Sequence, residues 1–429
     1  MGRASRRADS PRRSAAVIDA LTARPDQRRS SVRSTYDVAI VGGGIVGAAT
    51  AMLLADRRRV VILEATDRVA AHQSGHNSGV IHAGLYYRPG SLKARLCAEG
   101  REDMYRFCES ENIPHRRCGK LVVATRDGEL PALDELERRG RANGLHGLRR
   151  LTRAELGEYE PEVSGVAGIW VPQTGVVDYA LVTAAYARRA AQQGASVVLN
   201  ANVLNIVQDG TVIRAETTAG EFSARFIVNC AGLHADRVAR MAGETPRVRI
   251  VPFRGEYFDL RPESAGLVRG LIYPVPDPAL PFLGVHLSRT VNDHVHAGPN
   301  AVFAFSRHGY RWRDFAITDV ADAMSFGGFW RMARTHWRSG LTEMRRSLSR
   351  RRFVRSIQEL VPAIRDADIV RGGSGVRAQA IDDTGRLLDD FHIVRSLRSL
   401  HVLNAPSPAA TASLAIGREI ASQVLDATS

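Results

Sequence analysis

The stretch Asp37-Val38-Ala39-Ile40-Val41-Gly42-Gly43-Gly44-Ile45-Val46-Gly47 constrains this chain more than any other. It runs straight into Ala48-Ala49-Thr50-Ala51-Met52-Leu53-Leu54 and then Val60-Val61-Ile62-Leu63-Glu64. The pattern predicts strand, glycine turn, helix, strand and a closing acid. Gly42 permits the tight turn, Gly44 lets the backbone approach a pyrophosphate, and Gly47 lets the helix pack closely on the strand. The helix N-terminus then faces the phosphates. Glu64, 22 positions after Gly42, has the spacing of a carboxylate that accepts hydrogen bonds from a ribose. Glycine clusters alone make ordinary turns; the full strand, helix and acid context predicts a bound dinucleotide.

With 429 residues, 44% of them hydrophobic, the chain can fill the cores of two or three domains. No run of eighteen apolar residues occurs, so a spanning helix is not expected. Cys97, Cys108, Cys118 and Cys230 form no C-x-x-C pair and no zinc spacing, which predicts buried thiols in a reducing compartment and no metal. The net charge of +14 is local. Residues 1–35 hold nine Arg against three Asp, giving +6, and residues 307–355 hold twelve Arg against four acids, giving +8. The rest is neutral, so the basicity describes two surface segments, and no nucleic-acid reading motif accompanies it.

Residues 1–35, rich in Arg and Ser, read as a disordered basic extension. Residues 70–84 form a polar, glycine-punctuated loop with three histidines. A helix is predicted over 91–112, a strand over 118–125 and a charged helix over 127–143. Asp178 is placed to cap a helix running to about Gln193, and short strands follow at 197–200, 203–207 and 212–217. Phe226-Ile227-Val228-Asn229-Cys230-Ala231-Gly232 reads as a buried strand whose small last residues suit a backbone passing a cofactor. From Pro252 short aromatic strands predict a separate antiparallel sheet, residues 314–360 return to helix, and strand, turn and a helix near Thr411 end the chain. The expected fold class is α/β: a discontinuous Rossmann-like domain from residues 36–90, 170–240 and 362–429, and a mainly antiparallel substrate domain from 91–169 and 241–361. The substrate domain includes a basic amphipathic helical segment at 314–352. In that segment Phe326, Trp330, Ala333, Trp337, Leu341, Met344 and Leu348 form an apolar stripe, with a break expected at Gly340. This predicts peripheral attachment to an anionic membrane on its inner, cytoplasmic face, against the alternative that the stripe packs on the protein itself.

A nicotinamide domain would continue as regular strand and helix units. The interruption by an antiparallel segment favours FAD, with a helix N-terminus near Thr411 at the flavin's N1/O2 edge. The stretches His72-Gln73-Ser74-Gly75-His76-Asn77-Ser78-Gly79-Val80-Ile81-His82-Ala83-Gly84, Pro252-Phe253-Arg254-Gly255-Glu256-Tyr257-Phe258, Pro281-Phe282-Leu283-Gly284-Val285-His286-Leu287, Gly375-Val376-Arg377-Ala378-Gln379 and Asn404-Ala405-Pro406-Ser407-Pro408-Ala409-Ala410-Thr411 stand in order along the chain. Together they resemble the L-2-hydroxyglutarate dehydrogenase/oxidase family over residues 36–425. That family lies in the wider D-amino-acid oxidase and glycerol-3-phosphate dehydrogenase group of flavoproteins. The resemblance implies oxidation of L-2-hydroxyglutarate to 2-oxoglutarate. The complete nucleotide unit, with no cysteine in an attachment motif, predicts noncovalent FAD, and a quinone, oxygen or a carrier protein is open as the electron acceptor.

Such a reaction needs a hydride acceptor, a base for the hydroxyl proton and cations for the carboxylates. His82 is the expected base, with His286 the alternative, and Arg377, expected in a glycine-flanked loop, is the expected carboxylate fork. Arg254 is a candidate for the second carboxylate, a structural salt bridge being its other reading. Tyr257 and Tyr273 read as core residues. The expected cofactor contacts are Gly42, Gly44, Gly47, Glu64, Asn77, Ser78, Gly79, Val203, Ala231, Gly232, Pro408, Ala409 and Thr411. His72 and His76 stand where covalent flavin attachment occurs in relatives, but none is expected here. A flavin amine oxidase, a glycerol-3-phosphate oxidising enzyme and a non-catalytic nucleotide-binding module are the competing functions.

Overall fold

The computed structural model describes residues 35–276 and 284–428. The basic extension expected at 1–35 therefore lies, but for its last residue, outside the described residues, as does the start of the Pro281–Leu287 motif. Among the described residues the strands form an eight-stranded, a nine-stranded and a three-stranded sheet.

Tyr36–Val41 lies inside the eight-stranded sheet, parallel to Val60–Leu63 on one side and to Gly220–Asn229 on the other. Gly220–Asn229 also pairs in parallel with Ser399–Asn404, so the beginning, middle and end of the chain meet in one sheet. Val38, Ala39, Ile40, Val60, Val61 and Ile62 are wholly buried, as expected of parallel strands covered on both faces. Ile45–Leu54 packs against Tyr179–Gln192 and Ser413–Ala427. The contact is close because it is built from Ala48, Ala49 and Gly417; a Cβ on Gly417 would lie 3.0 Å from Leu53 Cδ1. Asp178 caps Tyr179–Gln192 as its position predicts, its Oδ1 accepting from the Ala180 amide at 2.8 Å.

The nine-stranded sheet is dominated by Val248–Leu260 and Ile369–Asp382, antiparallel along nearly their whole length. Two boundaries differ from expectation. Ile369–Asp382 pairs in this second sheet, whereas the sequence places residues 362–429 in the nucleotide domain. Leu92–Ser110 packs on Ser413–Ala427, covering the nucleotide domain rather than the substrate domain. In both cases partner strands and helices outweigh proximity in sequence. Arg307 links the two regions: fully buried, it donates to Asp236 at 3.0 Å, and this contact overcomes burial to hold the Asp236 carboxyl below the usual range.

The 314–352 segment is helical, as Ile317–Met324 and Gly327–Leu348, with Arg350–Gln358 following. The break in the long helix falls at His336 (φ −109°, ψ 15°) and not at Gly340, which stays helical with open space around it.

Candidate active site

The two large sheets enclose a cavity of about 1560 Å³, well above the roughly 300–1,000 Å³ that holds one small ligand. Its nucleotide end is built by the glycine turn. Gly42 has φ +107°, and a Cβ there would lie 2.6 Å from the Cys230 carbonyl. A Cβ on Gly47 would lie 2.1 Å from Gly42 O. Both glycines are thus required by protein packing. Gly44 differs: it lines the cavity, and only Ser74 Oγ would come within contact of its Cβ, leaving room for a ligand at the helix N-terminus. Glu64 is buried and accepts from the Gly43 amide at 2.7 Å, the Thr66 amide at 2.9 Å and Thr66 Oγ1 at 2.7 Å. A carboxylate has about four acceptor positions, so it retains capacity for one hydrogen bond from a ribose. Val203, Ala231, Gly232, Pro408 and Ala409 line the same cavity. Replacing Glu64 by Ala is expected to weaken dinucleotide retention roughly ten- to hundredfold, measured as cofactor content after dilution and filtration.

The loop after Glu64 folds back on itself. Asn77 donates to Ser74 O at 2.8 Å and accepts from the Gly79 amide at 2.8 Å. Asn77 therefore shapes the loop as well as lining the cavity beside Ser78. Gly79 does not line the cavity; at φ +67° it passes the Val177 carbonyl, 2.6 Å from where its Cβ would be. Thr411 Oγ1 accepts from the His82 amide at 3.0 Å and bonds Tyr179 Oη at 2.8 Å, which fixes the loop to the C-terminal turn. Farther along the wall His72, His308 and His234 form a row with ring nitrogens 3.0 and 3.1 Å apart. Among the described residues no group of His, Cys, Asp or Glu side chains has the arrangement of a metal site.

His82 and His286 face the same cavity. His82 Nε2 lies 3.2 Å from Ser407 Oγ, and its Nδ1 is buried without a partner among the described residues. Burial, with the charges of Lys120, His286 and Lys93, lowers its pKa to about 3. His286 Nδ1 lies 3.0 Å from Gly284 O. A carbonyl only accepts, so Nδ1 carries the hydrogen and Nε2 is the basic nitrogen. Burial, Arg377 and Lys120 lower this pKa also to about 3, against the Gly284 hydrogen bond, which raises it.

Arg377 lies in the middle of Ile369–Asp382, paired with Phe253, and not in a loop. It lines the cavity, close enough to His286 and Tyr257 for its charge to act on both. Gly375 beside it admits the loop: a Cβ there would meet His76 O at 2.5 Å. Tyr257 and Tyr273, expected in the core, also line the cavity. Arg254 is not brought to the site. It is buried, donates to Arg311 O at 3.0 Å and to Glu256, lies 4.4 Å over Trp312, and has no place in the cavity wall. This is the salt-bridge reading of Arg254, since residues two apart in a strand share a face. Lys93, Tyr86 and Ser407 line the cavity and Lys120 stands behind it, and none of them was singled out from sequence. The available signal was that only Lys93 and Lys120 are lysines among 59 basic residues.

A family model described as "FAD dependent oxidoreductase" (DAO) matches residues 37–423. The chain belongs to this family. Among curated relatives, an L-2-hydroxyglutarate dehydrogenase of Indibacter alkaliphilus is 49% identical, covering 89% of this chain and 97% of that one. The Escherichia coli K12 protein of the same name is 46% identical over 91% and 93%. The human mitochondrial L-2-hydroxyglutarate dehydrogenase is 42% identical over 92% and 90%. Of solved structures, L-α-glycerophosphate oxidase from Mycoplasma pneumoniae superposes with a TM-score of 0.75 at 24% identity, covering 92% of this chain and 95% of that one. That likeness is one of fold. FAD fits the cavity of this FAD-dependent oxidoreductase on the protein's own terms: its size, the open Gly44 corner, the acceptor capacity of Glu64 and the orphaned His82 Nδ1 all match such a group.

Proposed function

We infer that the protein oxidises L-2-hydroxyglutarate to 2-oxoglutarate. The observation that carries this is the 41–49% identity to L-2-hydroxyglutarate dehydrogenases over about nine-tenths of the chain, joined to an arginine and two neutral imidazoles in one cavity wall. The Gly44 corner, Glu64 and the small residues Ala231 and Gly232 would hold FAD without a covalent bond, and when bound it would supply the acceptor for the hydride that leaves C2. Thr411 fixes the turn before the last helix. Arg377 orients the substrate by a carboxylate. His82, neutral and with a free lone pair, takes the hydroxyl proton, and His286 stands beside it as the alternative acceptor. Burial of the wall keeps water from competing with the reacting groups.

The test is anaerobic bleaching of the flavin's visible absorbance by L-2-hydroxyglutarate, its D-enantiomer, glycine, sarcosine and glycerol 3-phosphate. Fastest bleaching is expected with L-2-hydroxyglutarate; an amine or glycerol 3-phosphate in first place would overturn the assignment. Parallel turnover with oxygen and with a soluble quinone identifies the electron acceptor.

The protein works at the inner, cytoplasmic face of a membrane. No described helix is long and apolar enough to cross one. Trp330, Trp337, Leu341, Met344 and Leu348 are nevertheless exposed, Leu348 to 70%, among exposed Arg331, Arg334, Arg338 and Arg345. Apolar anchors among fixed cations match an anionic lipid surface. The other side of this helix packs on the protein, through Gly328, Phe329 and Met332 and, farther along, through Glu343, which accepts from the Ala301 amide at 3.1 Å; Phe326, the first residue of the expected stripe, packs there as well. The protein should float with anionic vesicles and a Trp330→Ser/Trp337→Ser variant should not; equal flotation of the two removes the proposal.

A further inference from the structure

Of 59 basic residues 57 are arginines, and both lysines stand at the cavity. Arginine is a fixed cation, whereas lysine is compact and gives up its proton when buried. Lys93 has a carboxylate partner, Asp389 at 2.9 Å. Lys120 is different. It is 1% exposed, and among the described residues no carboxylate forms an ion pair with it. Its ammonium lies between two aromatic rings of the cavity wall, 4.3 Å from the centre of Tyr86 and 4.8 Å from that of Tyr273. The Tyr273 ring stacks at 4.0 Å on His286, and Tyr86 Oη is buried without a hydrogen-bond partner among the described residues.

The titratable groups that face this corner are His82, His286, Cys97, Lys93 and, across His286, Arg377. The histidines are neutral and burial pushes the Cys97 thiol up to about 12, so none supplies a negative charge near neutral pH. Burial lowers Lys120 itself to about 7. A buried cation without an anion is unfavourable unless a ligand brings one.

We propose that Lys120 is a positioning residue that selects a dicarboxylate. Held behind Tyr86 and Tyr273, its ammonium is the counter-charge for the substrate carboxylate that Arg377 does not hold. The assignment rests on the L-2-hydroxyglutarate reading. A unit charge acting across a ring, roughly 10 Å at an effective dielectric near 20, alters binding about tenfold.

The experiment compares wild-type, Lys120→Met and Lys120→Arg holoenzymes, measuring anaerobic flavin reduction by L-2-hydroxyglutarate and by the monoacid L-2-hydroxybutyrate. Lys120→Met should raise KM for the diacid about tenfold and KM for the monoacid by much less, and Lys120→Arg should restore the preference. The wild-type KM for the diacid should climb as pH rises through about 7, where the amine loses its charge. Both variants should lose that dependence. FAD content and a Tm at or above wild type establish that Lys120→Met is folded, since a neutral side chain replaces an uncompensated charge. Equal losses for both acids, an unchanged preference or a surviving pH dependence overturns the assignment while leaving the substrate intact. A wild type that L-2-hydroxyglutarate does not reduce overturns both.

Discussion

His82→Ala should lower kcat by about 10²- to 10⁴-fold with much less effect on KM, the loss typical of a removed acid–base group. The effect falls on kcat because the imidazole acts on the hydroxyl proton, whereas affinity lies mainly with the carboxylates. The pH profile follows from the site's electrostatics. Burial and neighbouring cations hold His82 and His286 near 3 in the free enzyme, so both are unprotonated through the neutral range. The kcat/KM profile, which reports the free enzyme, should therefore lack an acid limb near 6.5. A base so low would be weak, but the incoming substrate carries two negative charges, and a neighbouring anion favours the imidazolium. The base is thus strengthened when substrate is present. Single-turnover reduction with measured FAD content separates this from cofactor loss, and an unimpaired His82→Ala enzyme would move the base to His286. A limb near 6.5 in wild-type kcat/KM would argue that neither histidine is buried as described.

The nucleotide half of the site was legible because its signals are local. The spacing of Gly42, Gly47 and Glu64 follows from one βαβ unit, and each residue stands where that unit requires it. The discontinuity of the domain was legible too, from buried runs such as Phe226–Asn229 that needed distant partners. The substrate half depends on register between strands far apart in sequence. Arg377 lies near Gly372, Gly373 and Gly375, which resemble a loop, yet pairing with Val248–Leu260 makes it strand. The same glycines serve close approach: a Cβ on Gly372 would meet Asp259 and one on Gly375 would meet His76. Arg254 could have been excluded, since Glu256 two residues on shares its face. Lys120 was hidden because it opens the strand Lys120–Ala124, where a lysine ordinarily reaches solvent, and only the chain's near-exclusive use of arginine marks it.

Arg377→Met should reduce kcat/KM for L-2-hydroxyglutarate by about 10²-fold or more, through a higher KM and a lower kcat together. Arg377 reaches the cavity from a strand hydrogen-bonded on one side to Val248–Leu260, so its backbone cannot shift to compensate. A guanidinium offers two parallel donors to a carboxylate, and that fork sets the angle of the substrate as well as its affinity. Losing it misplaces C2, and a misplacement of about 1 Å can cost roughly 10²-fold in rate. Lys at this position keeps the charge but loses the fork. Arg377→Lys should therefore recover much of the KM and less of the kcat. The charge also bears on His286, whose pKa Arg377 helps to lower, so the Met variant should hold a proton on that imidazole more readily. Anaerobic reduction rates across substrate concentration and pH test all three expectations. A Met variant with an altered KM but wild-type kcat would reduce Arg377 to a binding charge, and one equal to wild type in both would remove it from the site.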